Sequence, residues 1–280
     1  MGTHPKSPSK VASTGQLLSE YLKADPSLIG ERVAKQFNAQ DGNLPFLFKV
    51  LSIEKALSIQ AHPDKKKATA LHSAKPEIYK GSFTTVNSAN PLSQVMPKDP
   101  NHKPEMALAL TPFRALCGFR PLREILAHIN ATPELASLIS PLIRHRFTLL
   151  PDTASTPSPF SGTGPAIAEA KQGLQDIFTN IMTKDVDEIK KQLAMLVKRY
   201  EKGEETSGVS QEVIDLVLRL NSQFPGDVGV FCVFLLNYVT LNPGEAIFLG
   251  AGEPHAYVEG GEPPTSFITR ACYMLYTRHY

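Results

Sequence analysis

Apolar positions change their period along the chain, and the changes divide it. LPFLFKVLSI, from Leu44, is a dense run of Phe, Leu and Val that predicts a strand. ALSIQAHP then alternates, with Leu57, Ile59 and Ala61 on one face and Ser58, Gln60 and His62 on the other; Pro63 ends it. EMALALTPF, from Glu105, alternates again. From about Arg120 to Phe224 the period lengthens to that of a helix. LREILAHI sets Leu122, Ile125, Leu126 and Ile129 on one stripe, and Pro165 opens a helix carrying Ile167, Leu174, Ile177, Phe178 and Ile181. Asp185 with Glu188 resembles a capping box before Ile189, Leu193, Leu196, Val197 and Tyr200. Gly203 stands at a helix stop, and Ser210 caps a helix with Val213, Ile214, Val217 and Leu218. After the turn Phe224-Pro225-Gly226-Asp227, strand texture returns in VGVFCVFLLNYVTL, AIFLGAG and EPHAYVEG. Strands, then helices, then strands predict an α+β chain with a helical insertion in a β domain.

The remaining stretches are connections or short helices. Thr14 or Ser13 caps a helix with Leu17, Leu18, Tyr21 and Leu22, and Ile29, Val33 and Phe37 form a second apolar set. Residues 64–79 are rich in Lys and Ala and predict a helix. Residues 80–100 are rich in Ser, Asn and Pro without either period and predict a loop.

Composition narrows the class. The chain has 280 residues, 42% hydrophobic and 20% charged, so it is globular, with room for one large domain or two. A net charge of +2 leaves no broad electrostatic footprint for nucleic acid or an anionic membrane. The three cysteines, Cys117, Cys232 and Cys272, are widely spaced, which argues against both a disulfide framework and a thiolate zinc knuckle. MGTHPKSPSK lacks the apolar core of a secretory signal, and the run from Val228 to Leu241 is too short to span a bilayer. The expectation is a soluble cytoplasmic protein without nucleic-acid or membrane partners.

Four residues carry candidate chemistry. Gln60 and His62 share a strand face, Glu105 opens the next strand pattern, and His255 follows a turn in PHAY. Imidazole nitrogen, carboxylate and amide oxygen without thiolate suit Zn2+ with an open position, or Mn2+ or Fe2+. An open position lets a metal polarise a substrate oxygen. The competing readings are a solvated sheet face for Gln60 and His62 and a structural role for a lone His255.

Long segments also carry a resemblance. NLPFLFKVLSIEKALSIQAHPDK, HKPEMALALTPFRALCGFRP, FPGDVGVF and LNPGEAIFLGAGEPHAY resemble the type I phosphomannose isomerases, across about residues 1–79 and 99–260. The last segment also resembles a cupin strand-turn-strand. The resemblance implies a cupin-like jelly-roll β core with an inserted α-helical domain. It further implies a zinc enzyme, with one Zn2+ per chain, interconverting mannose 6-phosphate and fructose 6-phosphate for GDP-mannose synthesis. On that basis Gln60, His62, Glu105 and His255 match the metal ligands. Ser58, Lys103, Tyr257 and Lys49 match positions around the sugar phosphate, and Lys103 and Glu105 are the catalytic candidates, with zinc-bound water a further candidate base. A monomer acting on a small sugar phosphate is expected. An iron oxygenase is the weaker metal-binding alternative, since Gln60 adds a fourth match to the zinc pattern.

Where the chain departs from the family sets the domain expectation. Residues 1–118 and 225–260 form an incomplete catalytic domain, 119–224 the helical insertion, 81–98 an atypical loop and 261–280 an unmatched tail. MGTHP is internal to the family pattern. Past Gly260 the expected arginine motif and second cupin domain are replaced by GEPPTSFITRACYMLYTRHY. Both ends therefore read as incomplete, and the alternative function is a catalytically impaired remnant that binds metal or sugar phosphate.

Overall fold

Two antiparallel sheets face each other, and helices cover the outer side of one of them. The computed structural model describes residues 1–3, 8–37, 39, 41–64, 66, 105–151, 164–204, 206–261 and 272–277. One sheet runs in the order β1 (Phe46–Leu51), β7 (Cys272–Thr277), β2 (Glu105–Ala109), β5 (Ala246–Leu249). The other runs β4 (Leu236–Leu241), β3 (Phe113–Phe119), β6 (His255–Gly260). Beyond β6 the chain from 53 to 60 lies alongside, bridging at Ile53–Gly260 and Gln60–His255. From β4 onward each successive strand changes sheet, as in a jelly-roll core.

Alternation along the strands explains why the second sheet is buried on both faces. Phe113, Ala115 and Cys117 of β3 and Tyr257 of β6 face the first sheet, meeting Ala107 and Ala109 of β2 and Leu249 of β5. Leu116, Ala256 and Val258, at the intervening positions, face the helices. Those helices are α3 (Leu122–Ala131), α4 (Pro133–Leu138), α5 (Pro141–Thr148), α6 (Pro165–Met182), α7 (Val186–Glu201) and α8 (Gln211–Gln223); two short ones, α1 (Leu18–Ala24) and α2 (Glu31–Gln36), precede β1. α6, α7 and α8 bury the stripes read from the sequence, including Leu174, Ile177, Ile181, Leu193, Leu196, Ile214 and Val217. The Asp185 side chain caps α7 by accepting from the backbone N–H groups of Asp187 and Glu188, and Ser210 caps α8 by accepting from that of Val213. Glu134 on α4 and Arg199 on α7 form a bidentate pair at 2.9 and 2.8 Å.

Several expectations need correction. VGVFCVF is a 3-10 helix, Val228–Phe234, and only Leu236–Leu241 is strand. A continuous apolar run has no period to betray its shape; here Asp227 caps the turn through Gly229 N–H, and core surrounds the segment. ALSIQAHP makes a single isolated bridge to β6, at Gln60–His255, instead of a continuous strand. The EMALALTPF pattern divides: β2 ends at Ala109, and a turn leads to β3 in the facing sheet. Neither Thr14 nor Ser13 caps α1, whose N-cap is Leu17; the Thr14 hydroxyl instead accepts from Gln16 N–H in a local turn. Glu188 pairs with Gln192 at 2.8 Å, so the contacts described for the α7 cap run one way. Residues 261–280, outside the family pattern, include β7, a strand the sequence period does not predict, paired with both β1 and β2. The helix expected at 64–79, apart from Asp64 and Lys66, and the loop at 80–100, which contains the whole 81–98 segment, lie outside the described residues.

Candidate metal centre

The site forms where strand ends from both sheets meet. Glu105 begins β2 and stands opposite Leu249 at the end of β5. The chain then turns through Gly250–Pro254 and starts β6 with His255. Glu105 shares the inward face of β2 with Ala107, and His255 shares the inward face of β6 with Tyr257, so the two face each other across the sandwich. Gln60 exchanges both backbone hydrogen bonds with His255, each at 2.8 Å. Directly paired residues project to the same side of a sheet, so Gln60 belongs to the His255 face. His62 follows two positions on.

The side chains converge in a buried space. His62, Glu105 and His255 are all buried, with potential ligand atoms within 4.8 Å of one another. His62 Nε2 lies 2.8 Å from Glu105 Oε1. The Tyr257 hydroxyl donates to Glu105 Oε2 at 2.9 Å, and His255 Nε2 lies 3.5 Å from that same oxygen. Burial pushes the Glu105 carboxyl up, but contacts with His255 and His62 more than offset it and hold it at about 2. The carboxylate is therefore ionised at neutral pH.

His255 provides the test of whether a cation fits. Its Nδ1 lies 3.0 Å from the Glu253 carbonyl, which can only accept, so Nδ1 carries the proton. Its Nε2 is buried with no hydrogen-bond partner. With Nδ1 committed to that carbonyl, Nε2 points toward Glu105 Oε2 3.5 Å away, where a divalent cation between them would be held by both atoms. Tetrahedral zinc with bonds of about 2.0–2.1 Å sets its ligands roughly 3.4 Å apart. The His255–Glu105 separation meets that spacing, and the His62–Glu105 contact must open by roughly half an ångström. Two imidazoles, one carboxylate and an adjacent amide side chain thus fit a borderline divalent ion.

Comparisons with known proteins identify the family. Residues 1–85 and 89–122 match the family described as phosphomannose isomerase type I, catalytic domain, and residues 151–236 match its helical insertion domain. The chain belongs to the type I phosphomannose isomerases. It is 48% identical to the mannose-6-phosphate isomerase of Cryptococcus neoformans, over 93% of this chain and 57% of the relative. It is 39% identical to the Homo sapiens enzyme of the same name, over 93% and 55%. A zinc-bound mannose 6-phosphate isomerase crystal structure superposes with a TM-score of 0.69 at 28% identity, covering 100% of this chain and 60% of that one. The chain spans about half the length of the curated relatives it matches.

The other residues singled out by the family pattern fall in different places. Tyr257 is buried against Phe113, ring centroids 5.3 Å apart, with its hydroxyl on Glu105. Lys49 sits on β1 opposite Met274 of β7, which in turn pairs with Ala107, so the register puts it in line with the inward face of β2. Ser58 lines a cavity of about 280 Å³ with Leu220, Phe224 and Asp227. Ala256 and Val258 also line it, which puts it on the opposite face of β6 from His255 and Tyr257. Lys103 lies outside the described residues. Two contacts escaped the sequence reading, the Tyr257–Glu105 hydrogen bond and the Glu253 carbonyl behind His255. The PHAY spacing held the first, since residues 255 and 257 share a strand face; no sequence signal marks a backbone carbonyl.

Proposed function

We propose that the chain carries the catalytic unit of a zinc-dependent aldose–ketose isomerase that interconverts mannose 6-phosphate and fructose 6-phosphate. The observation behind this reading is the convergence of His62, Glu105 and His255, with the buried His255 Nε2 lacking any other partner. Gln60, His62, Glu105 and His255 would hold the metal. Bound there, zinc supplies Lewis-acid polarisation of a sugar oxygen beside the carbon that loses its proton.

The protein's own groups take the remaining tasks. Isomerisation moves a proton between C2 and C1, so a base must take it from one carbon and return it to the other. Glu105 is ill suited to that step. Its carboxyl is held at about 2, and both oxygens already face hydrogen-bonding partners. Lys103, two positions before it, is the better candidate. Tyr257 orients the Glu105 carboxylate, and Lys49 and Lys103 offer positive charge to the phosphate. The same proposal takes in a monomer with one zinc per chain, working in the cytoplasm and supplying GDP-mannose synthesis.

Zinc analysis combined with a coupled assay for fructose 6-phosphate tests it. The expected result is one zinc per chain, with turnover lost on chelation and restored by zinc. Undiminished turnover in metal-free protein would overturn the Lewis-acid role. Zinc-loaded protein without turnover would favour a second reading, a unit that binds metal or sugar phosphate but does not isomerise.

A further inference from the structure

We infer that Glu253 is a positioning residue for the metal centre, because its side chain closes the turn that orients both histidines. The inference rests on the metal reading above and extends it to a residue outside the ligand set. The turn from Gly250 to Pro254 touches the site on two sides. Gly252 N–H donates to the His62 carbonyl at 2.6 Å, and the Glu253 carbonyl accepts from His255 Nδ1 at 3.0 Å. Pro254 O accepts from Gly118 N–H at 2.8 Å, tying the turn to β3.

What shapes the turn is the Glu253 carboxylate. Its Oε2 accepts from Gly250 N–H at 3.2 Å, while Glu253 N–H reaches back to Gly250 O at 3.4 Å. Gly252 sits at φ +80°, where a side chain is strained. Pro254 restricts Glu253 to extended backbone, which aims its carbonyl at the His255 ring. Together these contacts commit His255 Nδ1 to the Glu253 carbonyl and turn Nε2 toward Glu105. Outer partners of this kind raise ligand basicity and fix ring orientation, and losing one typically costs 10–100-fold in metal affinity.

Glutamine keeps an acceptor at Glu253 Oε and alanine does not, so the pair separates hydrogen bonding from charge. Zinc affinity of the full chain is measured by chelator competition, cobalt(II) visible absorption reports ligand geometry, and thermal unfolding of the metal-free forms reports folding. Glu253→Ala keeps the carbonyl behind His255 but releases the turn that aims it, so zinc binding is expected to weaken by about 10-fold, the low end of the range for an outer partner, and the cobalt bands to shift. Its metal-free Tm should stay within about 3 °C of the parent, the scale of one modest hydrogen bond. Glu253→Gln should restore affinity and spectrum. Parent-like zinc affinity and cobalt bands in Glu253→Ala would overturn the inference. So would a metal-free Tm that collapses alongside affinity, or a Gln variant as weak as Ala. A parent chain that binds neither metal would instead overturn the metal reading itself, and the inference with it.

Discussion

Replacing Glu134 by glutamine removes one charge from a buried ion pair and changes almost nothing in size. Glu134 Oε1 and Oε2 take Arg199 Nε and Nη2 at 2.9 and 2.8 Å, with side chains 7% and 14% exposed. Breaking such a pair from one side typically costs about 3–5 kcal/mol, because the surviving charge stays buried. The 14% exposure of Arg199 lets water reach the guanidinium, so the cost belongs at the lower end, about 3 kcal/mol. For a chain of this size that is a drop in Tm of roughly 6–12 °C. Urea unfolding followed by far-ultraviolet circular dichroism measures it, because the pair joins α4 to α7. The double variant Glu134→Leu with Arg199→Met removes both charges and should lose much less, under about 1.5 kcal/mol. A loss below about 1 kcal/mol for Glu134→Gln would show that the pair behaves as a solvent-screened surface contact and refute the argument.

Gly42→Ala should destabilise the chain by about 2 kcal/mol or more, since Gly42 sits at φ +86° and an added Cβ would run into the Ser19 carbonyl; an unchanged urea midpoint would count against that packing. In metal-free protein the Glu105 carboxyl is depressed from an ordinary 4.5 to about 2, so its ionised form contributes stability above pH 4.5 that is lost as pH falls toward 2. The depression corresponds to about 3 kcal/mol, and Glu105→Gln should flatten that part of the stability curve; parallel curves for parent and variant would refute it.

The sequence was most legible where one face is buried and the other is not. The stripes of α6, α7 and α8, the caps at Asp185 and Ser210, and the strand openings at Glu105 and His255 follow from period and capping chemistry, which are local. Val228–Phe234 reads as strand although it is a 3-10 helix, because burial on every side erases periodicity. β7 was missed because its place depends on pairing with β1 and β2, far away in sequence. At the site, Gln60 and His62 could be put on one face by counting, and Tyr257 with His255 likewise. That these faces meet across two sheets came from family resemblance, and the roles of Gly252 N–H and the Glu253 carbonyl came only from coordinates.

The position of β7 bears on how the molecule is made. The ribosome releases Phe46–Leu51 long before Cys272–Thr277, yet among the described residues β7 is the neighbour that fills the gap between β1 and β2. Until it arrives, the edges of β1 and β2 that it will cover carry unpaired backbone, open to pairing with other chains. Closing so distant a contact is slow, and the interval is one in which holding chaperones earn their keep.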